Sequence, residues 1–205
     1  MQRNSTKIHI TLLIIVCIVF LWSMIKPAGY LIWTLEVLPA VIGLIVLIIT
    51  YHKFHFSTLS YTIVAVLSML MFIGGHYTYD NVPLFEWIKD TFNLSRNHYD
   101  RFGHLMKGFI SIVIRELLIR KSPLKKGLLL SGIVISISLS IAALYEIIEW
   151  LYSVIRSNRE DTKEFLGMQG DIWDAQWDMS LALIGSIIAL LLLSKVQNKI
   201  IKSFK

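Results

Sequence analysis

The chain alternates long hydrophobic runs with short polar connections, and the length of the runs indicates helices that cross a bilayer. About 20 helical residues span the hydrocarbon core. By this criterion we predict six membrane spans, at about residues 8–25, 28–50, 58–77, 99–119, 127–152 and 172–195. The longest connections are residues 78–98 and 153–171. The pattern therefore predicts an all-α, polytopic transmembrane helical bundle that forms a single domain over residues 1–205.

Composition favours this class over a soluble or nucleic-acid-binding domain. The 205 residues are 55% hydrophobic and only 17% charged, whereas soluble domains average about 45–50% apolar and about 25% charged residues. The net charge of +6 comes from basic residues beside the hydrophobic runs, which is typical of membrane topology, so no nucleic-acid partner is expected. Cys17 is the single cysteine and cannot form a disulfide within the chain.

The positions of lysine and arginine indicate which side of the membrane each connection faces, because cytoplasmic loops carry an excess of basic residues. In a six-span arrangement one side receives Arg3, Lys7, Lys53, Arg120, Lys121, Lys125, Lys126, Lys195, Lys199, Lys202 and Lys205. Both termini are therefore expected in the cytoplasm, with the two longest connections outside. On the cytoplasmic side we interpret the adjacent Arg115 and Glu116 as a salt bridge or a lipid-headgroup contact.

The most unusual stretch is residues 167–185, a polar, glycine-containing loop that leads into the last hydrophobic run. Asp171, Asp174 and Asp178 are spaced three and four positions apart, which places them on one face of a helix. Ionised carboxylates in or near hydrocarbon are costly without partners. We therefore expect the rest of the bundle to supply partners for this aspartate ladder.

Other acidic and histidine side chains reach the same end of the bundle, because spans 3 and 5 run outward and end there while spans 4 and 6 begin there. The polar residues near these four ends are His76, Asp80, Asp100, His104, Glu146, Glu149, Asp171, Asp174 and Asp178. Asp100 and His104 are four positions apart and share one helix face. Glu146 and Glu149 are three apart and do the same. We predict one outward-facing carboxylate and histidine site.

Helix electrostatics explains only part of this pattern. Acidic residues at a helix N-terminus complement the helix dipole, which suffices for Asp100 and Asp171. Glu146 and Glu149 sit at a helix C-terminus, where the dipole disfavours anions, and Asp178 lies about two turns inside its helix. Carboxylates gathered in a low-dielectric volume repel one another, so they need protons, a bound cation or basic neighbours. The basic candidates are Arg96, Arg101 and Lys107.

These residue types can support metal-dependent chemistry or a metal-free pair of general acid and base. Carboxylates with an imidazole suit a divalent ion such as zinc, manganese or iron, although the spacing matches no specific metal-binding motif. The candidate metal ligands are Asp100, His104, Asp171 and Asp178. The candidate catalytic residues are Glu146, Glu149 and Asp174. The candidates for substrate binding are Arg96, Asn97, Arg101 and His76.

Four stretches at this end resemble the YjdF-type family of bacterial inner-membrane proteins. They are residues 75–79 (GHYTY), 96–104 (RNHYDRFGH), 145–150 (YEIIEW) and 166–179 (LGMQGDIWDAQWDM). The resemblance covers about spans 3 to 6, and it implies a multi-pass protein of the bacterial cytoplasmic membrane. It implies no established activity.

A looser likeness is to VanZ-like proteins, which are associated with low-level glycopeptide resistance. They too place Asp-x-x-x-His near one helix start and acidic residues on later helices. The corresponding residues here are Asp100, His104, Glu146 or Glu149, and the aspartate ladder. The likeness implies the outer leaflet and envelope lipids, although a shared fold does not establish a function.

The pattern leaves three functions open. The first is a membrane-embedded, metal-dependent hydrolase or transferase that acts on a lipid-linked envelope substrate. The second is an ion- or proton-coupled transporter, and the third is a non-catalytic structural or assembly protein. Below Ser111 and Asp178 the spans are mostly apolar, which favours a one-sided pocket over a transport path. The lipid bilayer is the expected partner in all three.

Overall fold

All the secondary structure in the described part of the chain is helical. The computed structural model describes residues 2–155 and 168–202, with side chains from residue 5 onward. Its helices are α1 (Gln2–Ser23), α2 (Tyr30–Thr50), α3 (Thr58–Tyr77), α4 (Pro83–Phe92), α5 (Tyr99–Lys107), α6 (Ile110–Lys121), α7 (Leu128–Ile155) and α8 (Asp174–Lys202). The predicted all-α class is confirmed. Part of the predicted connection 153–171 and the start of the stretch 166–179 fall in residues 156–167, outside the described residues.

Among the described helices, 5 are long and apolar enough to cross a membrane. They are α1 from Ser5 onward, α2, α3, α7 and α8, and they correspond to predicted spans 1, 2, 3, 5 and 6. The transmembrane helical bundle is therefore confirmed. The cytoplasmic placement of both termini and the single-domain organisation stay predictions.

Predicted span 4 consists of two helices instead of one. α5 and α6 meet at Gly108 and Phe109. The N–H of Phe109 donates to the carbonyl of Met106, three residues back, which tightens the turn. The hydroxyl of Ser186 in α8 lies 3.2 Å from the carbonyl oxygen of Gly108. The Gly108 carbonyl thus has a partner on another helix, at the point where the helical geometry changes.

The connection 78–98 contains α4, a helix that the hydrophobic pattern did not predict. Pro83 begins it, since the first helical position tolerates a residue without an N–H, and Asn93 ends it with φ of 51°. Its 10 residues are too few to cross a membrane. Leu84, Trp87 and Phe92 are exposed, as in a helix that lies at the edge of a bundle.

α3 lies between two groups of helices. On one side it packs against α1 and α2, and on the other it contacts α5 and α6, which pack with α7 and α8. The most extensive pairing is that of α5 with α8. This arrangement brings the ends of α3 and α7 and the starts of α5 and α8 to one end of the bundle, as the alternation of spans predicts.

Two apolar clusters fix these neighbours. The first joins α3, α6, α7 and α8 through Ile63, Leu67, Ile112, Leu130, Val134, Ala189 and Leu190. The second joins α1, α2 and α3 through Val16, Val37, Ala40, Ala65 and Phe72. Hydrocarbon tails are as apolar as these side chains, so the clusters act through close packing and not through exclusion of water. They determine which polar helix ends meet.

Glycines allow α5 and α8 to approach backbone to backbone. A Cβ atom on Gly185 would collide with the carbonyl oxygen of Leu105. A Cβ atom on Gly108 would collide with the backbone at Ala182. Small residues at membrane helix interfaces permit such contacts. The glycines therefore set the spacing of the two helices that carry all of the predicted metal ligands except Asp171.

At the far end of the bundle, Arg115 and Glu116 have separate partners instead of pairing with each other. The buried Glu116 carboxylate accepts hydrogen bonds from the Ser57 hydroxyl at 2.5 Å and from Arg120 at 2.8 Å. Arg115 donates to the side chain of Gln197 at 2.5 Å. A salt bridge is present, but Arg120 forms it, because Arg120 lies one turn after Glu116 on the same helix face.

Candidate functional site

Carboxyl and imidazole groups gather where α7 ends and α5 and α8 begin. This group, the carboxylate cluster, consists of Asp100, His104, Glu146, Glu149, Asp174 and Asp178. All except the half-buried Asp100 are more than nine-tenths buried. The structure thus brings together residues predicted as metal ligands and residues predicted as catalytic, from three helices.

Asp100, His104 and Asp178 form the best candidate for a metal site, which we call the triad. Each offers one ligand atom, and these atoms all lie within 4.8 Å of one another. Nε2 of His104 is 3.6 Å from Oδ1 of Asp100 and 3.7 Å from Oε1 of Glu146, too far for hydrogen bonds. Among the described residues, Nδ1 of His104, Oδ1 of Asp178 and Oε1 of Glu146 have no hydrogen-bond partner. Buried polar atoms of this kind are available for a ligand.

Two arginines hold the start of α8 against the start of α5. Arg96 pairs with Asp174, and both side chains are almost completely buried. Nη2 of Arg101 lies 2.5 Å from Oδ2 of Asp171 and 3.6 Å from Oδ1 of Asp174. The backbone N–H of Trp173 donates to Asp171 at 2.9 Å, and this bond and Arg101 lower the pKa of Asp171. Asp171 is a predicted metal ligand, but its side chain contacts Arg101 and Trp173 and does not belong to the triad.

Among the residues that the structure describes at this end of the bundle, acidic groups outnumber basic ones. The carboxyl groups in or against the cluster are Glu36, Asp100, Glu146, Glu149, Asp174 and Asp178. The basic side chains among them are Arg96, Arg101 and Lys107. Uncompensated buried carboxylates are costly in a low-dielectric environment. Protons or a divalent cation can supply the missing positive charge.

Lys107 lies on the membrane side of the cluster. Its Nζ is 2.9 Å from Nε2 of His104. It is also 4.5 Å from the ring centre of Tyr145 and 5.4 Å from that of Tyr79, which are cation–π distances. The sequence marks Lys107 only as a basic neighbour, whereas the fold puts its ammonium group directly against the imidazole.

Glu36 on α2 is a buried carboxyl of this site that we did not predict. The hydroxyl of Tyr145 donates to its Oε2 at 2.7 Å. A signal for Glu36 exists, because it is the only acidic residue in predicted spans 1, 2 and 3 and ionisable residues inside membrane spans commonly have a function. The hydrogen bond extends the site from α7 to α2.

Asn97 and Gln169 join the loops that precede α5 and α8. The backbone N–H of Asn97 donates to Oε1 of Gln169 at 2.8 Å, and Nε2 of Gln169 donates to the carbonyl oxygen of Asn97 at 2.9 Å. Oδ1 of Asn97 accepts a hydrogen bond from the N–H of Tyr99 at 3.1 Å. These bonds give Asn97 a structural role, and its predicted role in substrate binding stays a prediction.

Asp80 forms the rim of the site beside Gln169. It follows the end of α3, and its Oδ1 accepts a hydrogen bond from Nε2 of Gln169 at 2.8 Å. Burial, together with repulsion from Asp100, raises the pKa of Asp80 to about 7. Asp80 therefore changes its charge close to neutral pH.

His76 lies apart from the cluster, on the side of α1. Its Nδ1 is 3.1 Å from the carbonyl oxygen of Ser23, and its ring centre is 4.5 Å from that of Trp22. Its own carbonyl accepts a hydrogen bond from the N–H of Ala28 at 3.0 Å. These contacts tie the end of α3 to the α1–α2 connection, and a role of His76 in substrate binding stays a prediction.

Comparison with known proteins identifies the family. The family described as "Predicted membrane protein (DUF2238)" matches residues 8–199, which include every element of the site. The inner membrane protein YjdF of Escherichia coli (strain K12) is 31% identical over 202 residues, which make up 98% of this chain and 93% of that protein. No solved structure matches. The relative agrees with the predicted location in the cytoplasmic membrane of a bacterium. The chain therefore belongs to the DUF2238 family of membrane proteins, and the resemblance to YjdF-type proteins is confirmed.

Proposed function

We propose that the protein is a membrane-embedded hydrolase or transferase that uses a divalent metal ion and acts on a lipid-linked envelope substrate at the predicted outer face. The observation that carries this proposal is the triad, whose ligand atoms lie within 4.8 Å of one another in a largely buried position. Two carboxylates and one imidazole are a suitable donor set for zinc, manganese or iron. The unpartnered Oδ1 of Asp178 supports a ligand at this place.

Three protein ligands suit a catalytic site because they leave a coordination position for a reacting molecule. When bound, the ion supplies a Lewis acid that polarises a carbonyl or phosphoryl oxygen and acidifies a bound water. Acidic residues of the cluster on α7 move protons, and Arg101 beside the cluster holds the substrate.

Glu146 is the proposed general acid and base. Its Oε1 lies 3.7 Å from Nε2 of His104 and has no hydrogen-bond partner among the described residues. A carboxyl in this position can take up or release a proton beside the triad without first breaking another bond. Glu149 follows Glu146 by three residues, on the same face of α7, and is the second candidate for this role.

Arg101 is the proposed contact for an anionic headgroup. Its side chain is 18% exposed, and its Nη2 is held by Asp171 and Asp174. A guanidinium group offers paired donors that match phosphate oxygens. Because Arg96 and Arg101 both hold Asp174, we propose a positioning role for Asp174 and not a role in proton transfer.

A transport function has less support. The carboxylate cluster and the Glu116 network lie at opposite ends of the bundle, and the apolar cluster that includes Leu67, Ile112 and Val134 lies between them. Protons and cations need polar groups along their path through a membrane protein. This arrangement favours a site that works from one side.

The first test is the metal content of the purified protein, with Asp178→Asn as the variant and Asp90→Asn as the control. Asp90 is exposed on α4, away from the triad. We expect a near-stoichiometric divalent metal in the parent and the control, and its loss from folded Asp178→Asn protein. Parent protein that binds no divalent metal after removal and resupply would contradict the proposal. Unfolding of Asp178→Asn, with no metal in the parent, would assign the cluster a structural role.

The second test is turnover of envelope lipids in proteoliposomes, scored by mass spectrometry. Glu146→Gln keeps the size of the side chain but removes its proton transfer, so it should lower turnover by roughly 10²- to 10⁴-fold while the metal stays bound. Asp90→Asn should turn over lipids at the parent rate. Full activity of Glu146→Gln would remove Glu146 from the mechanism.

A further inference from the structure

A cavity of about 190 Å³ lies beneath the carboxylate cluster, between α2, α3, α5 and α7. We infer that it binds one acyl chain of a membrane phospholipid, which enters sideways from the bilayer between α2 and α7. We call it the chain groove, and its lining includes Pro39, Gly43, Met71, Lys107, Ala142 and Tyr145. The use of this lipid as a substrate rests on the proposed function, whereas its binding in the groove does not.

Small side chains create the groove. Its walls include Pro39, Ala40 and Gly43 from α2, and Ser138 and Ala142 from α7. A Cβ atom on Gly43 would meet nothing within 4 Å, so this position borders open space. Larger residues on either helix would fill the gap.

The groove opens toward hydrocarbon. Pro39, Gly43 and Ile141 are exposed at its side, and α2 and α7 are both apolar enough to span the membrane. α2 packs on α3, and α7 packs on α6 and α8, whereas α2 and α7 are not an extensively packed pair in the part of the chain that the structure describes. Lipid tails therefore surround the opening, and an acyl chain matches its polarity.

The end of the groove nearest the cluster is polar. Lys107, Tyr145 and His104 line it, and the His104 side chain is buried with an Nδ1 that has no hydrogen-bond partner among the described residues. The Lys107 ammonium group complements a lipid phosphate or an ester carbonyl. Away from the cluster the lining is mostly apolar, with Leu67 on α3 and Ile110 on α6, and the Ser138 hydroxyl there is already bonded to Ser186 at 2.8 Å. Polarity changes along the groove in the same order as along a lipid, from headgroup to chain.

The volume suits one chain. An apolar cavity of about 150 Å³ can hold a benzene molecule. The volume of about 190 Å³ therefore accommodates a segment of one acyl chain and not two chains side by side. With the chain seated, the ester and phosphate groups of the lipid lie at the depth of Lys107 and His104. The substrate class that follows for the proposed enzyme is a lipid with a cleavable linkage next to its chain.

Photo-crosslinking in vesicles tests this inference. The full-length protein is reconstituted with phosphatidylglycerol that carries a diazirine in its acyl chain, and labelled peptides are mapped by mass spectrometry. Gly43→Trp fills the groove, and Gly132→Trp is the matched control, because Gly132 on α7 also has nothing within 4 Å of its Cβ position but does not line the groove. We expect label on peptides containing Met71 and Ala142 to fall roughly tenfold in Gly43→Trp and to be retained in the control.

Equal labelling of the two variants would overturn the groove as a binding site. Displacement of the label by a polyprenyl phosphate, but not by unlabelled phosphatidylglycerol, would overturn its assignment to phospholipid. The metal content of the same samples separates this inference from the proposed function. Labelled protein without metal would leave the groove intact and remove the proposed chemistry, whereas Gly43→Trp protein that keeps its metal but loses the label would support both.

Discussion

The ammonium nitrogen of Lys107 lies 2.9 Å from Nε2 of His104, so a basic group stands beside the atoms that would bind a metal ion. Two unit positive charges 4 Å apart repel by about 4 kcal/mol at an effective dielectric constant of 20. Lys107 therefore repels a bound metal and competes with it for Nε2 of His104. The flexible stem of lysine lets the ammonium group move aside toward the chain groove, which it lines.

Removing this competitor should tighten metal binding. We expect Lys107→Met to bind Mn²⁺ or Zn²⁺ roughly tenfold more tightly than the parent, because a tenfold change corresponds to about 1.4 kcal/mol, a part of the repulsion that is removed. Isothermal titration of metal-free protein measures the change. Lys89→Met is the control, since Lys89 pairs with Glu86 on the exposed α4. Weaker binding by Lys107→Met would show that the lysine supports the metal site instead.

The Arg96–Asp174 pair should matter most for stability. Both side chains are almost completely buried, so Arg96→Met leaves a carboxylate without its main partner. Breaking a buried pair in this way costs about 3–5 kcal/mol of unfolding free energy. Thermal unfolding in detergent measures the loss, and Lys89→Met, which breaks the exposed pair with Glu86, should leave the melting temperature unchanged. Equal effects of the two variants would contradict a special role for burial.

A methyl group at Gly185 should push α5 and α8 apart. Its Cβ would collide with the Leu105 carbonyl, which is backbone and cannot rotate away. We expect Gly185→Ala to lower the unfolding free energy by about 1–3 kcal/mol, as overpacked interiors do. Gly132→Ala has free space and should be neutral or stabilising by up to about 1 kcal/mol, because alanine favours the helix. Metal affinity of Gly185→Ala should also fall, since the triad spans the two helices.

Asp80 should make stability depend on pH. Its pKa of about 7 in the folded protein lies above the ordinary value of 3.8, so the folded state binds a proton more strongly than the unfolded state. Stability therefore falls as pH rises from about 4 to about 7. Asp80→Asn still has an oxygen to accept the Gln169 hydrogen bond but does not titrate. Its melting temperature should exceed that of the parent at pH 8 and match it much more closely at pH 5.

At pH 8 the free energy of unfolding of Asp80→Asn should exceed that of the parent by about 2 kcal/mol. Each pKa unit is worth about 1.4 kcal/mol, and solvent screens part of this at a half-buried position. Asp90→Asn on the exposed face of α4 controls for the loss of a negative charge. A constant difference between Asp80→Asn and the parent from pH 5 to pH 8 would contradict the raised pKa of Asp80.

Much of the helical frame could be predicted because membrane spans depend on local composition. Predicted span 3 begins and ends with α3, at Thr58 and Tyr77. α4 was missed because its 10 residues are shorter than a span, and the break at Gly108 was missed because Ser186, which contacts its carbonyl, lies 78 positions further along the chain. Both failures concern features that a hydrophobicity window does not contain.

The candidate site was predictable in part, for a similar reason. The spacing of Asp100 and His104 fixes a shared helix face without knowledge of the fold, and the structure places both in the triad. Glu36 could not be assigned to the site from the sequence, because only the packing of α2 in the bundle decides whether its side chain faces lipid or Tyr145. His76 and Asp171 lie near the expected end of the bundle, but their contacts depend on loop conformations that no periodicity specifies.

The two sides of the site differ in how firmly they are held. α5 and α8 touch through their backbones at Gly108 and Gly185, so the distance between Asp100 and Asp178 has little freedom to change. α2 reaches α7 through a hydrogen bond from Tyr145 to Glu36, which can break and re-form without disturbing that distance. The α5–α8 side of the site is therefore rigid, whereas the α2–α7 side can separate. A thicker or stiffer bilayer should alter how fast molecules reach the site, while the strength of metal binding stays constant.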